Sequence, residues 1–133
     1  MHNSEKRNDR AFQYYPALRK IELYINENYS EEVSLKKAAQ IAGLERKYFS
    51  TFFHKKVGIP FRQWLMHTRI KKAIRFLEIE DSSITQIAFA VGYQDLRTFE
   101  RAFKKCTGNT PREFKKTIEF QMGFQKTGSL TDL

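Results

Sequence analysis

One hundred and thirty-three residues, 41% of them apolar, suffice for one domain with a real core and leave little room for a second. Lys and Arg number 24 against 15 Asp and Glu, and the net +9 points to a polyanionic partner, nucleic acid before an anionic membrane surface. A single cysteine excludes a disulfide framework or a zinc site of paired cysteines, and no apolar run approaches the roughly eighteen residues of a membrane span.

The start, residues 1–10, is polar and lacks the apolar stretch of a signal peptide, and residues 1–15 are expected to be a flexible N-terminal segment. Pro16 to Tyr29 reads as an amphipathic helix with Leu18, Ile21 and Tyr24 or Ile25 inward. Ser34 is a good N-cap, because a serine hydroxyl accepts from the free amides of a first helical turn. Leu35, Ala38, Ala39 and Ala42 then recur at helical spacing, and Gly43 stands where the chain turns. In the helix that follows, Phe49, Phe52 and Phe53 share one face; Lys47, Ser50, Thr51 and His54 share the opposite one. Phe61 to Glu78, opened by Pro60, is a third amphipathic stretch whose eighteen residues span about 27 Å.

Ser83 opens the next helix, with Ile84, Ile87, Ala88 and Val91 inward and Gly92 at its turn. Phe99, Ala102 and Phe103 point in from its successor, while Arg97, Glu100, Arg101 and Lys104 point out. Pro111 opens a last helix through Phe114 and toward Ile118. Beyond it Ile118, Phe120, Met122 and Phe124 alternate with polar or small residues, a strand-like period of two. This tail, residues 117–133, is expected to extend the last helix or pack loosely on the body, or else to dock a partner protein. The expected fold is all-α, with seven helices.

The two central units are copies of one another. At an offset of 49, Ser34, Ala39, Gly43 and Leu44 pair with Ser83, Ala88, Gly92 and Tyr93. At an offset of 50, Phe49, Phe53, Lys55, Gly58 and Trp64 pair with Phe99, Phe103, Lys105, Gly108 and Phe114. A short helix, a glycine turn and a second amphipathic helix form a helix-turn-helix, here present twice and joined by the Phe61–Glu78 helix. Charge follows the same division: residues 45–75 carry a net +8, residues 76–95 a net −4 and residues 96–116 a net +5. Two basic zones around an acidic bridge suggest two contact surfaces. Cationic and short polar side chains suit a major groove, where Arg grips guanine O6 and N7 bidentately.

The chain resembles the AraC/XylS family of bacterial transcription activators over about residues 17–116. The matching segments are Y-I-N-E-N-Y (24–29), S-L-x-x-A-A-x-I-A-G (34–43) and F-S-T-F-F-H-K-K-V-G (49–58). They continue with W-L-x-x-x-R-I-x-x-A-x-x-F-L (64–77), I-T-Q-I-A-F-A-V-G-Y (84–93) and F-E-R-A-F-K-K-C-T-G-N-T-P-R-E-F (99–114). The resemblance implies a double helix-turn-helix domain, here residues 16–116, that binds double-stranded promoter DNA and recruits RNA polymerase. Carried over by position, it assigns Arg46, Lys47, Ser50 and Thr51 to the first recognition helix and Leu96, Arg97, Glu100 and Arg101 to the second. His54 and Lys104 are added as phosphate contacts. Glu45 stands where the family usually has a serine cap, and Arg97-Thr98 replaces a common Ser-Tyr pair.

The family's usual effector or dimerisation domain has no counterpart in residues 1–15 or 117–133. That leaves a stand-alone member or the DNA-binding piece of a longer protein, and the Met1 start favours the first. The expected function is a cytoplasmic, sequence-specific regulator acting at the bacterial nucleoid, an activator that binds as a monomer and has no membrane association. The alternative is an adaptor whose helix-turn-helix surfaces bind protein and hold DNA only non-specifically. No cofactor is expected, and no metal, since His2, His54 and His67 have no Cys or carboxylate at ligand spacing. Cys106 lies inside the module and is read as a packing residue; no catalytic constellation appears, so no enzyme is expected.

Overall fold

The computed structural model describes residues 6–79 and 82–131, with side chains as far as residue 121. His2, Glu80, Asp81 and the side chains of Met122 and Phe124 lie outside the described residues. Eight helices are present among the described residues, and no strand. In chain order they are α1 (Ala11–Tyr14), α2 (Pro16–Asn28), α3 (Leu35–Ala42), α4 (Arg46–Val57), α5 (Phe61–Ile79), α6 (Ile84–Ala90), α7 (Leu96–Thr107) and α8 (Pro111–Thr131). The chain divides into two compact units after Arg69, so α5 begins in one and ends in the other.

The seven helices expected from sequence are therefore one too few. The additional one is α1, inside the segment set apart as a flexible N-terminus. Four residues form one turn, too short to display the 3.6-residue period by which a helix is recognised. Tertiary packing holds it instead. Ala11 and Phe12 are both buried, and the Phe12 ring stacks on Trp64 at 5.0 Å and meets Phe53 edge-on at 5.8 Å.

In the first unit the core is a cluster of aromatic rings from α1, α4 and α5 backed by the aliphatic stripe of α2. Leu18, Ile21 and Ile25 are fully buried at helical spacing, and Ala38, Ala39 and Ala42 of α3 complete the floor. Phe61 meets Phe49 and Phe53 edge-on at 5.6 and 5.4 Å, an arrangement the ring quadrupoles favour. Arg69, the last residue of this unit, donates from Nε to the Tyr29 carbonyl and from Nη2 to the Glu31 carbonyl, each at 2.7 Å. Those bonds tie α5 to the loop after α2.

The second unit repeats the plan with fewer rings. Ile70, Ala73 and Leu77 of α5 are buried, as are Ile87 and Ala88 of α6 and Phe99, Ala102 and Phe103 of α7. Helix α8 opens on a reciprocal cap: the Thr110 hydroxyl accepts from Glu113 N–H while the Glu113 carboxylate accepts from Thr110 N–H. It continues to Thr131, so the apolar alternation after Ile118 lies in a helix and does not make a strand. Phe120 stands 75% exposed there.

Two substitutions test which of these features carry stability. Phe12→Ala removes a buried ring that touches two others and is expected to cost about 3–5 kcal/mol in denaturant unfolding. A cost under about 1 kcal/mol would show that α1 is not part of the core. Ser83→Ala removes the reciprocal cap of α6 and is expected to cost about 1 kcal/mol.

Candidate nucleic-acid interface

Each helix-turn-helix is built by the same local devices. Ser34 Oγ accepts from Lys37 N–H at 3.0 Å; Ser83 Oγ accepts from Gln86 N–H at 3.1 Å, and the Gln86 side chain returns a bond to Ser83 N–H. Both serines therefore cap as their sequence context predicts. Gly43 and Gly92 turn the chain at φ +77° and +105°, a region where a Cβ would be strained. Past the turn Leu44 N–H donates to the Ala39 carbonyl and Tyr93 N–H to the Ala88 carbonyl, at 2.9 and 3.0 Å. These bonds use carbonyls that the helix end leaves free.

The second helix of each unit starts on a carboxylate. Glu45 accepts from Tyr48 N–H at 2.9 Å and Asp95 from Thr98 N–H at 2.8 Å, so Glu45 does the work of the serine common at that position. The backbone bond from Tyr48 holds the Glu45 carboxyl below its ordinary range. The Thr98 amide and then its hydroxyl do the same for Asp95. A negative charge at a helix N-terminus complements the macrodipole. It also occupies one amide of each helix that could otherwise receive a phosphate, Tyr48 N–H and Thr98 N–H. Attraction to a polyanion then falls to the cationic side chains of each helix.

Those side chains stand clear of the core. On α4 the Phe49 and Phe53 rings are fully buried, with centroids 5.7 Å apart; on α7 Phe99 and Phe103 repeat that spacing at 5.7 Å. With these faces turned inward, Arg46, Lys47, Thr51 and His54 are exposed on α4 and Ser50 is half-buried. On α7, Arg97, Arg101 and Lys104 are exposed, and Leu96 and Glu100 are half-buried. Positions 97, 101 and 104 share one face at helical spacing. Each predicted set thus sits together on one helix of its own unit. Cys106 is half-buried on the opposite side of α7, and burial pushes its thiol up.

An aromatic ledge beside the first set is not apparent from sequence. Tyr48, 56% exposed, stacks on Phe52 at 5.7 Å, and Phe52 meets Tyr15 edge-on at 5.3 Å. Phe52 is half-buried there and packs against the core rings, as its spacing expects, at their edge. The only sequence signal was a tyrosine at the border of a polar face. Among the described residues no group of His, Cys, Asp and Glu could hold a metal ion. No helix among them is long and apolar enough to cross a membrane.

A family model described as a helix-turn-helix domain matches residues 38–117. YobQ, an HTH-type transcriptional regulator of Bacillus subtilis, is 32% identical over 95 residues, covering 71% of this chain and 39% of its own. The C-terminal domain of the response regulator yesN from Fusobacterium nucleatum is 31% identical with a TM-score of 0.70, covering 74% of this chain and 97% of that one. The DNA-binding domain of AdpA, solved with a target DNA, shares the fold at 23% identity and a TM-score of 0.75, over 80% of this chain and 95% of that one. The chain belongs to the AraC-type helix-turn-helix family of DNA-binding transcriptional regulators. Its relatives are regulators rather than enzymes. It spans 35–40% of the length of three of the curated relatives it matches and 12% of longer ones from Staphylococcus aureus.

The capping carboxylates give this interface a pH dependence of known sign. A carboxyl whose folded-state pKa is lowered stabilises the fold above its unfolded pKa and loses that contribution as pH falls. The caps of α4 and α7 are therefore expected to hold at neutral pH. They should fail as pH drops from the ordinary 4.5 of Glu45 and 3.8 of Asp95 through their lower folded values. Carboxyl chemical shifts followed by NMR should show both midpoints below those ordinary values. A midpoint at or above them would show that the cap does not form.

Proposed function

We propose that this chain is a sequence-specific regulator that reads two successive major-groove segments of promoter double-stranded DNA, α4 in one and α7 in the next. The observation that carries the reading is the duplicated helix with a cationic outer face and the same buried phenylalanine pair behind it. A face of Arg97, Arg101 and Lys104 concentrates positive charge at the surface and offers two guanidinium forks for guanine edges. In α4 the corresponding contacts are Arg46, Lys47, Ser50 and Thr51, with His54 toward phosphate; in α7, Leu96 and Glu100 flank the arginines. The two sets differ, so they prefer different bases, and one chain suffices for a non-palindromic site. The reading extends to an activator that contacts RNA polymerase and acts in the cytoplasm at the nucleoid. The tail after residue 116 is the segment left for a protein partner.

Selection of bound duplexes from a random pool, followed by footprinting, tests this reading. The expected product is an asymmetric site of two unlike boxes about 10–11 base pairs apart, occupied by one chain. Preference over scrambled DNA should be on the order of 10³-fold or more. A symmetric footprint that needs two chains overturns tethered reading, and equal affinity for both DNAs favours the adaptor. On the selected site Arg97→Ala or Arg101→Ala should cost about 1–3 kcal/mol, concentrated at particular base pairs. Lys104→Ala should weaken all sequences alike. Transcription from a promoter carrying the site should rise when the chain is added; a fall would make it a repressor.

A further inference from the structure

We propose that the N-terminal segment and the C-terminal end of α4 form a phosphate-backbone site, holding one DNA strand beside the groove that α4 reads. The site is assembled from two distant parts of the chain. Asn8 N–H donates to the Val57 carbonyl at 2.7 Å, joining the segment to the last turn of α4. The Lys6 carbonyl packs against Gly58, so closely that a Cβ there would lie 2.3 Å from its oxygen. Phe12, buried among Phe53 and Trp64, anchors the other end.

This anchoring brings Arg10 to the same open cleft as Lys55 and Lys56, with Tyr14 and Tyr15 in its wall and a volume of about 860 Å³. Three cations line it and no described carboxylate does. The neighbouring Arg7, by contrast, has its acid in Asp9 at 2.6 Å. Helix polarity alone favours lysines at a helix C-terminus. It does not explain Arg10, which arrives from another element. Lys56 is also positioned, its ammonium lying 5.2 Å from the centroid of the Tyr15 ring.

The occupant follows from continuity with α4. Lys47, Thr51 and Lys55 stand four residues apart along one stripe, so the row that faces the groove runs into the cleft at Lys55. A polyanion that follows that row as far as Lys55 reaches the cleft whose other cations are Arg10 and Lys56, the latter on the flank of α4 away from Lys47, and duplex DNA offers a regular line of phosphates there. At the duplicated position Lys56 is replaced by Cys106, so the second unit lacks the pair and the site belongs to the first reader alone.

The inference rests on α4 being a groove reader, and the test separates the two. A random-sequence duplex of about 30 base pairs serves as probe, since phosphate contacts need no operator. Arg10→Gln, Lys55→Gln and Lys56→Gln are made singly and together in the full chain, with far-UV circular dichroism expected to match the parent. Each should lower the slope of log affinity against log salt by about 0.9, and the triple variant by about 2.7. The same variants should lose affinity for a selected site by the same factor, leaving the preference over random DNA intact. An unchanged slope in the triple variant overturns the site. A changed slope with no preferred sequence upholds the site while sinking sequence-specific reading. No salt-dependent binding by the parent chain overturns both.

Discussion

Two phenylalanines one turn apart hold the second helix of each helix-turn-helix from behind, and the rest of each unit is arranged around that grip. Phe49 and Phe53 have no exposed surface, and neither do Phe99 and Phe103. Burying each ring is worth about 1.5–3 kcal/mol. The larger consequence is rotational. With two rings on one side locked into a core, the helix cannot turn about its axis, so Lys47 and Thr51, or Arg97 and Arg101, have only one direction in which to point. Trp64 meets Phe53 at 5.5 Å and Phe114 meets Phe103 at 5.4 Å, closing the same pocket in both units.

That grip would be useless if the helix began at a variable place, and the caps and turns prevent this. A left-handed glycine, an apolar plug and a carboxylate cap follow one another within a few residues in both copies. The choice of carboxylates has an electrostatic corollary. Glu45 and Asp95 complement the positive end of their helices, so under the proposed DNA reading attraction comes from Lys and Arg side chains, whose contribution is screened by salt. On that proposal orientation and affinity fall to different residues. Rings and caps set the first; surface cations would set the second.

The duplication is not complete, and its break is informative. Gly58 and Gly108 end the two reading helices with φ of +98° and +86°. A Cβ on Gly108 would meet nothing within 4 Å, whereas one on Gly58 would collide with the Lys6 backbone. The same conformational demand therefore carries an additional packing demand in the first unit. It arises from a segment that the second unit has no equivalent of, and it lengthens the surface available beside α4.

Much of this was legible in the sequence because it depends on local chemistry repeated at fixed spacing. Serine caps, glycine turns and the phenylalanine pairs each act within a few residues, and finding them twice at offsets of 49 and 50 removed the ambiguity of a single copy. The family match over residues 38–117 spans both glycine turns and both phenylalanine pairs. What tertiary structure alone decided is the fate of segments without a period. One turn of helix at Ala11–Tyr14 has too few residues to be recognised, and only the stacking of Phe12 on Trp64, 52 positions away, makes it part of the core. The tail shows a period of two, yet α8 runs on to Thr131, in line with the reading of the sequence that extends the last helix. Arg10 beside Lys55 and Lys56 is invisible for the same reason: their proximity is set by a hydrogen bond from Asn8 to Val57 and by a missing Cβ at Gly58, contacts between residues that no local pattern connects.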